Sequence, residues 1–167
     1  MTELPSRTCP GCGLRLPISD APADARFNAS PECWDIHGEL TAYTVTRGDP
    51  AFIHQHLVDA YAAQHPGPPA KPITVAFGLI GLYLACEKGY TGRKVQHMHG
   101  LLANRSKVWP TFTPPERTSA LTVWDVLQAP PGDERDALLM RWATSIWVTW
   151  SAERERIESL IASVMRE

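Results

Sequence analysis

Long apolar runs are missing from this 167-residue chain. None reaches the ~18 residues that a membrane-crossing helix needs. The longest, Ile73 to Cys86, is broken by Gly78 and Gly81 and reads as a buried helix. An excess of one charge is missing as well. Sixteen Lys and Arg stand against 18 Asp and Glu, for a net −2, so nothing favours nucleic acid or an anionic membrane as partner. The first residues carry Glu3 and Pro5 and no apolar stretch, so no secretory leader is expected and a cytoplasmic location is. In that reducing compartment four cysteines are expected to be thiols or ligands. Strand-like alternation is almost absent, and so are internal repeats. No glycine-rich phosphate loop, nucleophile elbow or HExxH pair occurs.

What the chain does have is punctuation. Fifteen prolines and 11 glycines cut it into segments with helix start and stop signals. Ser30-Pro31-Glu32 is a cap, a first-turn proline and an acid at the positive end of the dipole; that helix runs to about Thr46. Asp49-Pro50 opens a second, to His65, ended by Pro66-Gly67-Pro68-Pro69. A third runs from Ile73 to Lys88 and a fourth from Gly92 to Asn104. Trp109 to Ser119 is a proline-rich loop. Thr122 caps a short helix to Gln128. From Asp133 to about Met165 apolar residues recur at steps of three and four, including Trp142, Trp147 and Trp150, which predicts one long helix with a core-facing stripe. The expectation is all-α: a single domain, 1–167, bundle-like with five or six helices. Residues 1–29 form a CxxC zinc turn and extended arm, and residues 30–167 the helical body.

The turn is Cys9-Pro10-Gly11-Cys12-Gly13. Two thiols across Pro-Gly aim both sulfurs at one point, which suits a tetrahedral thiophilic ion such as Zn2+. Cys33, in the first turn of its helix, supplies a third thiolate favoured by the helix dipole. Two histidines compete for the fourth position. His37 lies four residues after Cys33 on the same face. His65 is distant in sequence, but a short Gly48-Asp49 connection folds the first two helices into an antiparallel hairpin that returns it to Cys33. His54 lies near the far end of that hairpin, on the order of 16 Å away. Cys86 reads as a packed core thiol. His97-Met98-His99 reads as a polar edge, since alternate helix residues point about 200° apart.

The second helix carries His54, Asp59, Tyr61 and His65, and His54, Tyr61 and His65 share one face. Either this face hosts a metal or acid–base centre, or Tyr61 and His65 bond structurally while Gln55 and His56 are solvated. The set CPGCG, Ser30-Pro31-Glu32-Cys33-Trp34, Val58-Asp59-Ala60-Tyr61 with Gln64-His65-Pro66-Gly67, and Trp142-Ala143 with Trp147 and Trp150 resembles a family of uncharacterised bacterial proteins, a domain of unknown function, over nearly the whole chain. The resemblance implies a small helical zinc protein with no established activity. It carries over Cys9, Cys12, Cys33, His54, Asp59, Tyr61, Gln64 and His65. It implies tyrosine where this chain has His37, favouring His65 as fourth ligand, and a third-helix histidine where this chain has Phe77-Gly78. The expected function is accessory, with a structural Cys3His zinc and an unknown protein or small-molecule partner. The alternative is a DinB-like metal-dependent enzyme drawing on His54, Asp59 and His65, with Tyr61 orienting or donating a proton.

Overall fold

The computed structural model describes residues 3–166. Two short antiparallel strands, β1 (Ser6–Thr8) and β2 (Arg15–Pro17), pair in register Arg7 to Leu16. Seven helices follow among the described residues: α1 (Pro31–Thr46), α2 (His54–Gln64), α3 (Pro72–Lys88), α4 (Gly92–Arg105), α5 (Val123–Gln128), α6 (Asp133–Thr149) and α7 (Arg154–Arg166). None is long and apolar enough to cross a membrane.

The caps act as their residue types require. Ser30 Oγ accepts from Cys33 N at 3.2 Å, and Thr91 Oγ1 from Lys94 N at 3.3 Å. Thr122 and Asp125 form a reciprocal capping box, which satisfies two otherwise orphaned amides. Three expectations are corrected. The arm is not wholly extended: its hairpin places the cysteine turn at the tip. The second helix starts at His54 and not at Asp49-Pro50, because Asp49 carboxylate oxygens accept from Ala51 N at 2.8 Å and Ile53 N at 2.7 Å. This local turn competes with helix, and Phe52 adopts φ 58°.

The third correction raises the helix count to seven. The periodic stretch after Asp133 is two helices, broken at Trp150 and a 3₁₀ turn, Ser151–Glu153. A continuous helix of that length would extend about 50 Å, roughly twice the length of the 17-residue α3. Instead Trp150 turns inward and its Nε1 donates to Ala63 O at 3.0 Å. The chain then redirects, and α7 packs Ile157 and Val164, both buried, over α3 and α4.

Helix α2 lies at the centre, packed by α1, α3, α4 and α6, which is why nine of its eleven residues are buried. Helix α3 comes in unusually close. A Cβ at Gly81 would collide with the Asp59 carboxylate, so the glycine is a requirement of the α2–α3 contact. The tryptophan stripe is core, as its helical spacing suggests: Trp142, Trp147 and Trp150 are all buried. Each indole N–H is satisfied, Trp142 by Gln64 Oε1 at 2.9 Å and Trp147 by Glu87 Oε1 at 3.0 Å. Two of the three therefore brace the C-terminal turn of α2. Cys86 is half-buried beside Thr144 rather than fully packed in the core.

Candidate metal centre

The hairpin tip, the start of α1 and the end of α2 converge. Cys9, Cys12, Cys33 and His65 each offer one ligand atom, and these atoms all lie within 4.8 Å of one another. Cys12 Sγ is 3.8 Å from Cys33 Sγ, and Cys33 Sγ is 3.4 Å from His65 Nε2. The sulfur separation is far beyond the ~2.05 Å of a disulfide. All four side chains are buried, Cys33 and His65 completely. A buried Cys3His cluster of this kind could hold a metal ion.

The surroundings orient each donor. His65 Nδ1 lies 2.7 Å from Tyr61 O. A carbonyl only accepts, so Nδ1 carries the proton and the Nε2 lone pair faces the sulfurs. Tyr61 Oη donates to Cys33 Sγ and Ser30 N to Cys9 Sγ, both at 3.4 Å. The turn closes on itself, with Cys9 N donating to Leu14 O and Gly13 N to Cys9 O. It is locked to the end of α2 through Asn28, whose amide N donates to His65 O at 3.1 Å and whose Nδ2 donates to Pro66 O at 2.9 Å. Gly11 lies flat on the imidazole; a Cβ there would sit 2.6 Å from His65 Cδ2. Glu32 stitches the arm to α1 by accepting from Ser19 N at 3.0 Å and facing Arg7.

The thiols share charge unequally. Hydrogen bonds from Cys12 and Cys33 hold Cys9 well below the ordinary thiol range, against the opposing effect of burial. Cys12, pulled down by Cys33 but pushed up by Cys9 and burial, ends at about 12. Cys33 is pushed up by its bonds to Cys12 and Cys9 and by burial. A divalent cation supplies the positive charge that three adjacent thiolates need.

His37 is not in this cluster. It stacks on Trp34, at 4.6 Å and 14°, and meets Tyr61 tilted at 47° with ring centroids 4.3 Å apart, and neither ring nitrogen has a partner. The other residues of α2 diverge. His54 Nδ1 meets Thr44 Oγ1 at 2.9 Å on α1, whereas Asp59 faces α3 and α4. His54, Asp59 and His65 therefore form no common centre; the Cys3His set is the one group of three or more such ligands found among the described residues. Gln55 and His56 are buried, not solvated. His99, read as part of a polar edge, turns inward beside Asp59 and Gln55 and stacks on Phe77 at 4.8 Å. The signal for it was available in the sequence. Val95 and Leu102, both buried, flank it at steps of four and three, which puts His99 on the inner stripe and His97 outside.

Fold and cluster together define a helical bundle clasped at one end by three cysteines and a histidine. The chain belongs to the family of unknown function DUF5946, which matches residues 7–151. That span includes all four cluster residues and every helix through α6. No curated protein and no solved structure matches the chain.

Proposed function

We propose that the Cys3His cluster is a structural zinc site and that the protein is an accessory or binding protein, its metal holding the N-terminal hairpin on the bundle. The observation that carries this is four mutually close, buried ligands with the histidine tautomer already set. A tetrahedral zinc with bonds of ~2.3 Å to sulfur requires sulfur atoms about 3.8 Å apart, which is the Cys12–Cys33 separation. Four protein ligands leave no open position for a substrate or an activated water. The burial of Cys9, Cys12, Cys33 and His65 supports the same conclusion. A partner would then engage the protein elsewhere.

Elemental analysis tests the reading. One zinc per chain is expected, lost in Cys9→Ser/Cys12→Ser, weakened in His65→Ala and unchanged in His54→Ala. Metal retained at full stoichiometry by the double cysteine variant would overturn it.

A further inference from the structure

The outer face of α4 carries a feature that the metal cluster does not use. A cavity of 620 Å³ opens there, lined by Tyr90, Arg93, Lys94, Gln96, His97 and Met98. The His97-Met98-His99 stretch is thus divided: His99 turns in toward Asp59, while His97 and Met98 line this outer cavity. Two cations and no acid contribute to the lining, in a chain whose net charge is −2. Neither cation makes an ion pair among the described residues. Acids of the adjoining segments are engaged elsewhere. Asp49 accepts from Ala51 N and Ile53 N, and Glu87 accepts from Trp147 Nε1 and faces Arg154.

Aromatic rings hold both charges in place. The Arg93 guanidinium carbon lies 4.4 Å from the centre of the Phe52 ring, and Lys94 Nζ lies 5.8 Å from that of Tyr90. Arg93 Nη1 donates to Gln96 Oε1 at 2.8 Å, which leaves the Gln96 Nε2 hydrogens as donors. The helix end itself is not the receptor. Arg93 N donates to Ala51 O, Lys94 N to Thr91 Oγ1 and Val95 N to Thr91 O, so these first-turn amides are already bound. The side chains therefore offer a guanidinium fork, an ammonium and a carboxamide, with no carboxylate among them. Such a fork matches the oxygens of a phosphate, and lysine adds a point charge. A phosphomonoester brings about −1.5 to −2 charges near neutral pH and three acceptor oxygens, against the single charge of a carboxylate. The half-buried Tyr90 ring and Met98 add a wall that suits an aromatic body. The volume falls within the ~300–1,000 Å³ range of small-molecule sites.

We propose that this cavity is a binding site for a small aromatic phosphomonoester, its phosphoryl group held by Arg93, Lys94 and Gln96 and its ring set against Tyr90 and Met98. None of the four cluster residues lines it, so the site stands whatever the metal does.

Titration calorimetry on the metal-loaded full chain with phenyl phosphate and 1-naphthyl phosphate tests this, against inorganic phosphate, benzoate and benzyl alcohol. Saturable one-to-one binding of at least one ester is expected, at least tenfold tighter than any of the three controls and weakened by added sodium chloride. Arg93→Gln and Lys94→Gln should each lower ester affinity at least fivefold. Both residues are exposed, so zinc content should not change in either variant. Tyr90→Leu should bring the ester down to the level of inorganic phosphate. No saturable binding of either ester at millimolar concentration overturns the proposal, as does ester binding that survives both charge substitutions. Inorganic phosphate bound as tightly as the esters would mark an adventitious ion only, and benzoate or benzyl alcohol bound as tightly would remove the phosphoryl group from the recognition; either result overturns it too.

Discussion

The two long sides of α2 are treated in opposite ways. Toward α1 and the hairpin, Tyr61 and His65 direct their polar hydrogens to Cys33 Sγ and to the Tyr61 carbonyl, and the ring lone pair meets three sulfurs. Toward α3 and α4, Gln55 reaches both Asp59 and His99, yet an oxygen of one and a nitrogen of the other stay unpaired. Polar networks inside a protein stabilise when complete and cost stability when partial. One side of the helix thus reads as a finished structural joint. The other keeps a buried carboxyl oxygen, packed against Gly81, without a hydrogen-bond partner.

The largest effect that would test this contrast is loss of the clasp. Structural zinc contributes folding free energy directly. Cys33→Ser should eliminate the metal and lower the unfolding midpoint by roughly 10 °C or more, at about 2–4 °C per kcal/mol for a chain of this size. Calorimetry with and without a strong chelator checks it: chelator should destabilise the wild type and leave Cys33→Ser unmoved. A wild type indifferent to chelator would remove the distinction between the two sides.

Trp142→Phe should come next. It deletes the Nε1 bond to Gln64 and leaves the amide oxygen of a buried residue unpaired, at about 1–3 kcal/mol. Gln64 directly precedes His65, so the cost should be felt at the clasp. We expect a midpoint lower by several degrees, zinc stoichiometry unchanged, and faster release of zinc to a chromogenic chelator. Release as slow as in the wild type would mean that the tryptophan stripe supports the core without steadying the ligand.

These residues differ in how far they could be read from sequence. Cys9, Cys12 and Cys33 are legible because a CPGCG turn and a cysteine in a capped first turn are local patterns. His65 is legible one level up, through the antiparallel pairing of α1 and α2. The Gln55–Asp59–His99 trio is not, since it depends on which helices flank α2 and how closely Gly81 lets α3 approach. The break at Trp150 is hidden too. No glycine or proline marks it, and the apolar period runs straight through; it shows in the tertiary bond from the indole to Ala63 O.

Asp59 offers a pH test of the unfinished side. Burial raises its carboxyl well above the ordinary 3.8, against the hydrogen bond from Gln55. The folded state therefore keeps this proton to higher pH than the unfolded chain does. The resulting stability is complete below the unfolded value and declines as pH rises from 3.8 through the folded value. Asp59→Asn removes that decline. The midpoint of the variant minus that of the wild type should grow as pH rises above 4 and level off past the folded value; a difference that is flat with pH would mean that the folded carboxyl titrates normally. His99, pushed down to about 4, acts in the opposite sense in both proteins and drops out of the difference.

The smallest effect concerns His37, a residue on the finished side that breaks its pattern. Both ring nitrogens are buried without partners, and burial pushes the ring down to about 3. Its folded value is depressed, so its contribution is fully present above 6.5 and is lost as pH falls from 6.5 toward 3. His37→Phe keeps a ring stacked on Trp34 and in contact with Tyr61 while removing a buried N–H that bonds to nothing. Stability at pH 7 should rise by about 1 kcal/mol, the loss on acidification should become shallower, and zinc should stay at one per chain. A variant that binds less zinc would make His37 part of the coordination sphere and would transfer the incomplete chemistry to the side of α2 that now looks complete.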